Sequence, residues 1–201
     1  GDKLYIHGTT QEENFSVFQY DTITGEWQRW TLDTKDAKYA KIDGFSVVEG
    51  TVWIRLFEEY SDNEVANRNF SRKLNYYLIT LNTQTGEQTC TLIDFWRNGN
   101  NSDPYLTGFV ALDAERALIN DDETVRLINK NAQVIETMNL PLTGFTSRVW
   151  IGDTMYLSTT EGYCPFDNNT LQCGEPIEEL LWANVYNSQH GRFLVTKNRE
   201  L

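Results

Sequence analysis

The chain is short of the residues that break strands and of those that hold metals: four prolines, three cysteines, two histidines and two methionines in 201 residues. His7 and His190 lie near opposite ends, one at a strand exit and one in a turn. With no helical His spacing to support them, neither a catalytic triad nor a zinc site is expected. No run approaches the roughly 20 apolar residues that a membrane-spanning helix needs. The opening Gly1-Asp2-Lys3-Leu4 lacks the basic flank and apolar stretch of a signal peptide. Membrane insertion is therefore not expected, while a removed signal or lipid anchor stays open. No glycine-rich phosphate cradle occurs, and no cofactor is expected. Basic residues are scarce as well: 17 Lys and Arg face 29 Asp and Glu, for a net charge of −12. Such a field repels phosphate backbones and anionic head groups, which argues against nucleic acid and membrane surfaces as partners; its plainer use is solubility.

What the chain does have is aromatic and apolar. Hydrophobic residues make up 40%, with six Trp, ten Tyr and ten Phe, a profile that suits pleated, half-buried surfaces and lies far from disorder. The length fits one large all-β domain or one and a half ordinary ones.

The decisive feature is self-similarity. Phe18-Gln19-Tyr20-Asp21-Thr22-Ile23-Thr24-Gly25-Glu26-Trp27 is matched by Leu78-Ile79-Thr80-Leu81-Asn82-Thr83-Gln84-Thr85-Gly86-Glu87, with looser copies at 127–134 and 165–171. In each, Asp or Asn opens a turn by bonding its own backbone, and Gly25 and Gly86 supply the positive φ that closes the first two. A second piece precedes each hairpin: Gly44-Phe45-Ser46-Val47-Val48 before Thr51-Val52-Trp53-Ile54, Gly108-Phe109-Val110-Ala111-Leu112 before Ala117-Leu118-Ile119, and Gly144-Phe145 before Met155-Tyr156-Leu157. A partial copy at 182–195 ends the chain. The unit is four short strands, a-b-c-d, of about 40 residues, the length of a β-propeller blade. The expected fold is all-β, a propeller or propeller fragment of about four to five four-stranded blades, over pieces 1–33, 40–93, 105–140, 142–178 and 180–201 of a single domain. Residues 176–183 are the best helix candidate.

The run Tyr20-Asp21-Thr22-Ile23-Thr24-Gly25-Glu26-Trp27 resembles the outer hairpin of bacterial kelch, quinoprotein-like and TolB-like propellers. The chain departs from kelch in lacking Gly-Gly pairs, from WD40 in lacking the Trp-Asp ending, and from sialidases in lacking Ser-x-Asp-x-Gly-x-x-Trp. Large extracytoplasmic lipoproteins of gut bacteria carry similar degenerate propellers, and that resemblance implies an extracytoplasmic, secreted or cell-surface setting. Because the repeat starts on a strand b and ends on another, further blades of a longer protein are expected as neighbours.

In such a blade the b-to-c and d-to-a connections share one end and the tight turns the other. The long connections, 58–73 and 94–105, are both of the first kind, and long loops on a rigid scaffold are where binding residues gather. They carry the candidate ligand-binding residues Glu58, Tyr60, Asp62, Arg68, Trp96, Arg97, Asp103 and Tyr105. An aromatic floor with a polar rim suits a carbohydrate or a protein segment; the plainer reading is aromatics that pin loops under a solvated surface.

Catalysis is not expected. Asp121-Asp122-Glu123 offers carboxylates for glycosidic chemistry, but adjacent acids in a turn are ordinarily surface. Asn98 to Asp103 is oxygen-rich without the spaced acids of a calcium loop, so no metal is assigned. Four Asn-x-Ser/Thr sequons, at Asn14, Asn69, Asn100 and Asn168, carry no further weight. Cys90 is read as a small buried side chain. If the hairpin between Cys164 and Cys173 turns about Asn168-Asn169, the two thiols face each other, which makes them a disulfide candidate. The alternatives to a binding module are a glycan-processing domain and a structural spacer without ligand.

Overall fold

The computed structural model of the chain describes residues 2–9, 15–34, 40–60, 73–94, 106–121, 124–138, 147–151, 153–159, 162–177, 184–188 and 191–195. It divides into two compact units, residues 1–103 with 130–133 and residues 104–129 with 134–201.

In the first unit, β1 (Lys3–Thr9), β2 (Phe15–Asp21) and β3 (Trp27–Thr31) form a three-stranded sheet. Next to it β4 (Lys41–Val48), β5 (Thr51–Tyr60), β6 (Lys73–Asn82) and β7 (Gln88–Ile93) form a four-stranded one. The second unit holds two more four-stranded sheets. One is β8 (Leu106–Ala111), β9 (Arg116–Asp121), β10 (Thr124–Asn129) and β11 (Val134–Met138); the other is β12 (Ser147–Ile151), β13 (Thr154–Thr159), β14 (Gly162–Asp167) and β15 (Gln172–Cys173). A two-stranded sheet of β16 (Asn184–Ser188) and β17 (Gly191–Val195) follows. Every sheet is an antiparallel meander in chain order, and the three four-stranded ones are the a-b-c-d blade that the repeat implies. The fold is all-β and of the β-propeller class, with no helix among the described residues. The helix expected over 176–183 falls mostly outside those residues; within them Ile177 donates its N–H to the Tyr163 carbonyl at 3.0 Å as an isolated antiparallel bridge.

The turns explain why the strands stop where they do. Asp21 Oδ1 accepts from the N–H groups of Ile23 (2.9 Å) and Thr24 (3.0 Å), and Asn82 Oδ1 accepts from Gln84 (2.9 Å) and Thr85 (3.1 Å). Gly25 and Gly86 then take φ of 75° and 76° and return their N–H groups to the carbonyls of Asp21 and Asn82. In the looser copies the same left-handed conformation falls to Ala132 (φ 58°) and Leu171 (φ 57°). Between β4 and β5, Glu49 and Gly50 both have positive φ and join Val48 to its partner Thr51, a two-residue mirror-image turn whose twist suits the strands.

The cores lie between consecutive sheets. In the first unit Val17, Trp30 and Leu32 of the β1–β3 sheet and its exit pack on Val52, Ile54, Leu56, Ile79 and Leu81. In the second, Val110, Leu118, Val125, Leu127 and Met138 pack on Met155, Leu157, Cys164 and Phe166. Complete burial of an aliphatic side chain contributes about 1.5–3 kcal/mol, so these rows dominate the folding energy.

Strands β4 and β8 share an irregularity. Their registers slip by one residue between Ile42 and Gly44 and between Leu106 and Gly108, which makes Asp43 and Thr107 the bulged residues. The Gly-Phe pairs at 44–45 and 108–109 are therefore the exits of bulges on β4 and β8, while Gly144-Phe145 lies outside the described residues.

Candidate functional site

The loop-bearing end of the β4–β7 sheet is built on a firm base. Register pairs Tyr60 with Lys73 and Glu58 with Asn75, and Tyr76 stands opposite both Phe57 and Ile93. The ends of β5 and β7 and the start of β6 thus lie together, so the 58–73 and 94–105 connections leave from one end of this sheet. Beneath them Tyr76 and Ile93 are fully buried, and the Phe57 and Tyr76 rings sit 5.9 Å apart. Half-buried Glu58 accepts from Asn75 Nδ2 at 3.5 Å.

One row further in, Arg55 Nε donates to Asp43 Oδ1 at 2.9 Å, and its guanidinium lies over the Tyr76 ring at 5.8 Å. Burial pushes the Asp43 carboxyl above its ordinary 3.8, although Arg55 pulls the other way. Sequence reading passed over this pair because the bulge sets Asp43 out of the regular alternation. The Ile42-Asp43-Gly44-Phe45 and Leu106-Thr107-Gly108-Phe109 repeat was the available signal.

Of the predicted binding residues, Glu58 is described with its side chain and Tyr60 as the last residue of β5. Asp62, Arg68, Trp96, Arg97, Asp103 and Tyr105 lie outside the described residues. So do Asp122, Glu123, His190 and the sequon residues Asn14, Asn69 and Asn100, while Asp121 ends β9. His7 is exposed and rests its ring 4.8 Å from that of Phe45. Among the described residues no cluster of three or more His, Cys, Asp or Glu could hold a metal.

The disulfide candidate is corrected by register. The hairpin turns between Asn169 and Thr170 rather than at Asn168-Asn169, because Leu171 adds a left-handed residue. Phe166 consequently faces Cys173, and Cys164 faces Leu157. Both cysteines remain thiols. Burial, with the neighbouring Cys164 as a smaller cause, pushes the Cys173 thiol up to about 12. Cys90 is buried as expected.

A cleft that sequence reading did not single out opens at the tight-turn end of the β12–β15 sheet. Its volume is about 520 Å³, and it is lined by Trp150, Asp153, Thr154, Met155, Pro165, Phe166, the Asp167–Thr170 turn, Gln172, Cys173 and Gly174. Trp150 is 37% exposed and gives it an apolar wall. The turn is braced: Arg116 donates Nε to Asp113 Oδ2 at 2.7 Å and Nη2 to Asn168 Oδ1 at 3.0 Å. Asp167 Oδ1 accepts from the N–H groups of Asn169 (2.8 Å) and Thr170 (3.3 Å), which hold its carboxyl below the ordinary value. An indole beside carboxamides can take a polar ligand with one apolar face.

No family model and no curated protein matches the chain. Among solved structures it is similar to hydrazine synthase of Kuenenia stuttgartiensis, with 11% identity, a TM-score of 0.51, and 79% of this chain and 53% of that one covered. It is also similar to a protein of unknown function from Bacteroides caccae (10%, TM-score 0.42, 93% and 79%). A third similar structure is the extracellular domain of a hybrid two-component system of B. thetaiotaomicron (11%, TM-score 0.48, 94% and 25%). The chain spans about half the length of the hydrazine synthase chain, and that likeness shows the fold alone.

Proposed function

We propose that this protein is an extracytoplasmic recognition module that presents the 58–73 and 94–105 connections to a carbohydrate or a protein, and that it binds rather than catalyses. One observation carries the reading: the register of β5, β6 and β7 brings the exits of both long connections to the same end of one sheet. Fully buried Tyr76 and Ile93, with half-buried Phe57 beside Tyr76, supply a rigid support beneath them. Trp96, Tyr60 and Tyr105 would supply flat apolar faces, and Glu58, Asp62, Arg68, Arg97 and Asp103 directional polar groups.

Glycan and peptide arrays, read with thermal stabilisation, test it. A ligand at a hundred times its Kd adds about 3 kcal/mol to the folded state. A hit that is lost in the Trp96→Ala, Tyr60→Ala double variant, with the fold intact, supports the module; a hit that survives both changes removes this site.

A further inference from the structure

The cleft at the tight-turn end of β12–β15 has a charge balance that its volume alone does not reveal. All of its lining comes from one complete four-stranded sheet. Trp150 pairs with Met155, Met155 with Phe166 and Phe166 with Cys173, so one cross-strand row of lining residues runs from the first strand to the fourth. Met155 and Phe166 are buried in the core of the second unit, which fixes the middle of that row. One residue beyond it, the turn between Ile151 and Thr154 and the Asp167–Gln172 pair close the same end of the sheet. Asp153 and Asp167, both exposed, thus enter the cleft from its two hairpins.

These two carboxylates line the cleft with no lysine or arginine. Arg116, the cation that braces the second turn, is held by Asp113 and Asn168 and is not part of the lining. Among the described residues Asp153 has no ion-pair partner. Asp167 is kept ionised by the N–H groups of Asn169 and Thr170, both bonded to its Oδ1. The turn itself does not need that charge, since Asn82 makes the same pair of bonds in the β4–β7 sheet. An anion is repelled from such a cleft, and a neutral ligand would cover the carboxylates without offsetting their lost hydration. A bare metal ion finds too few donors, because no cluster of three His, Cys, Asp or Glu occurs among the described residues. An exposed indole beside two carboxylates suits an ammonium group on an apolar stem, whose charge lies over the ring while the stem covers apolar surface. A volume of about 520 Å³ is within the range of small-molecule sites and leaves room for that stem.

We propose that the Trp150 cleft binds an organic ammonium ion, with Trp150 as the aromatic face and Asp153 and Asp167 as the counter-charges. The carboxamide oxygens of Asn169 and Gln172 add neutral acceptors for the remaining N–H groups. The site shares no residue with the loop-bearing one and does not rest on that reading.

The test is an NMR titration of the whole 201-residue chain with 1,5-diaminopentane, read at the Trp150 indole N–H and the Asn169 and Thr170 amides. A saturable shift is expected. Asp153→Asn and Trp150→Leu should each weaken binding about two- to fivefold, as exposed ion-pair and cation–π contacts imply. Asp153→Asn combined with Asp167→Asn should weaken it about tenfold, with the turn kept by the Asn acceptor. Raising the salt from about 0.01 M to about 0.15 M should weaken it too, because the screening length falls from about 30 to about 8 Å. Nα-acetyl-lysine amide carries the same ammonium on a peptide: tighter binding than the diamine identifies a partner protein's lysine as the source, and weaker binding a free amine. Three results overturn the proposal. One is an equal response to 1,5-pentanediol, the neutral counterpart of the diamine; another is unchanged diamine binding in the double Asp variant. The third is an equal shift at the Asp21 turn, which would assign the response to the net charge of −12.

Discussion

The β1–β3 and β4–β7 sheets descend from the same repeat and use the same turn, yet they end up in different physical states. Asp21 and Asn82 make the same pair of turn bonds, and Gly25 and Gly86 differ by one degree in φ. The second sheet is covered on its Val52–Ile54–Leu56 face and carries a strand on each side of β5; the first is exposed at Leu4 and Ile6, and among the described residues no strand pairs with the free side of β1. Local turn chemistry is thus complete in both, and what separates them is burial and edge pairing, the two contributions that need a neighbour.

The largest effect that sharpens this contrast is in the apolar rows. Ile54→Ala should cost about 2–5 kcal/mol in denaturant unfolding, as buried Ile truncations do. Ile6→Ala, at the equivalent but exposed position, should cost no more than about 1 kcal/mol. Equal losses would mean that the β1 face is covered in solution.

Next comes the bulge pair, which among the described residues has no counterpart in the first sheet. Arg55→Met leaves Asp43 half-buried without the cation facing it, at a cost of about 2 kcal/mol at neutral pH, below the range for fully buried pairs because Asp43 keeps 27% of its side chain exposed. Burial already raises this carboxyl, so its favourable contribution is fully present below pH 3.8 and is lost as pH rises through its folded pKa. Removing Arg55 raises it further, so the loss measured by urea unfolding should shrink as pH falls toward 4.

Turn substitutions should treat the two sheets alike. An added Cβ at Gly25 would come no nearer than 4.0 Å to Tyr20, and at Gly86 no nearer than 3.9 Å to Trp30, so only the positive φ resists it. Gly25→Ala and Gly86→Ala should each cost about 1–2 kcal/mol, with Tm values shifted equally. A clear difference between them would show that the turns, too, depend on what surrounds the sheet.

The smallest effect is in acid. The N–H groups of Thr24 and Ile23 lower the Asp21 carboxyl, so the stability it gives is present above pH 3.8 and is lost as pH falls through its lower folded pKa. Asp21→Asn, which keeps the acceptor as Asn82 does, should flatten that acid-side slope in a pH series of thermal melts while leaving the neutral melt nearly unchanged.

Much of the fold was legible because the repeat carries its own punctuation: an Asx residue opens a turn, glycine closes it, and alternation assigns the faces. Where glycine is replaced, legibility fails. Leu171 in a left-handed conformation moved the turn and with it the partner of Cys173, and nothing in the residue type announces that choice. Asp43 was equally hidden, since a bulged residue breaks the period by which faces are read. For the site, sequence identified which connections are long, and register added that both leave one end of a sheet. The Trp150 cleft escaped because it forms between strand ends whose alignment depends on the same Leu171 turn.

Amide hydrogen exchange on the isolated chain compares the two sheets most directly, at Lys3, Tyr5 and His7 against Thr51, Trp53 and Arg55. The account predicts fast exchange at the three β1 amides and slow exchange at the three β5 amides. Protection of the β1 amides equal to that of β5 would contradict it, because the edge would then already hold a strand.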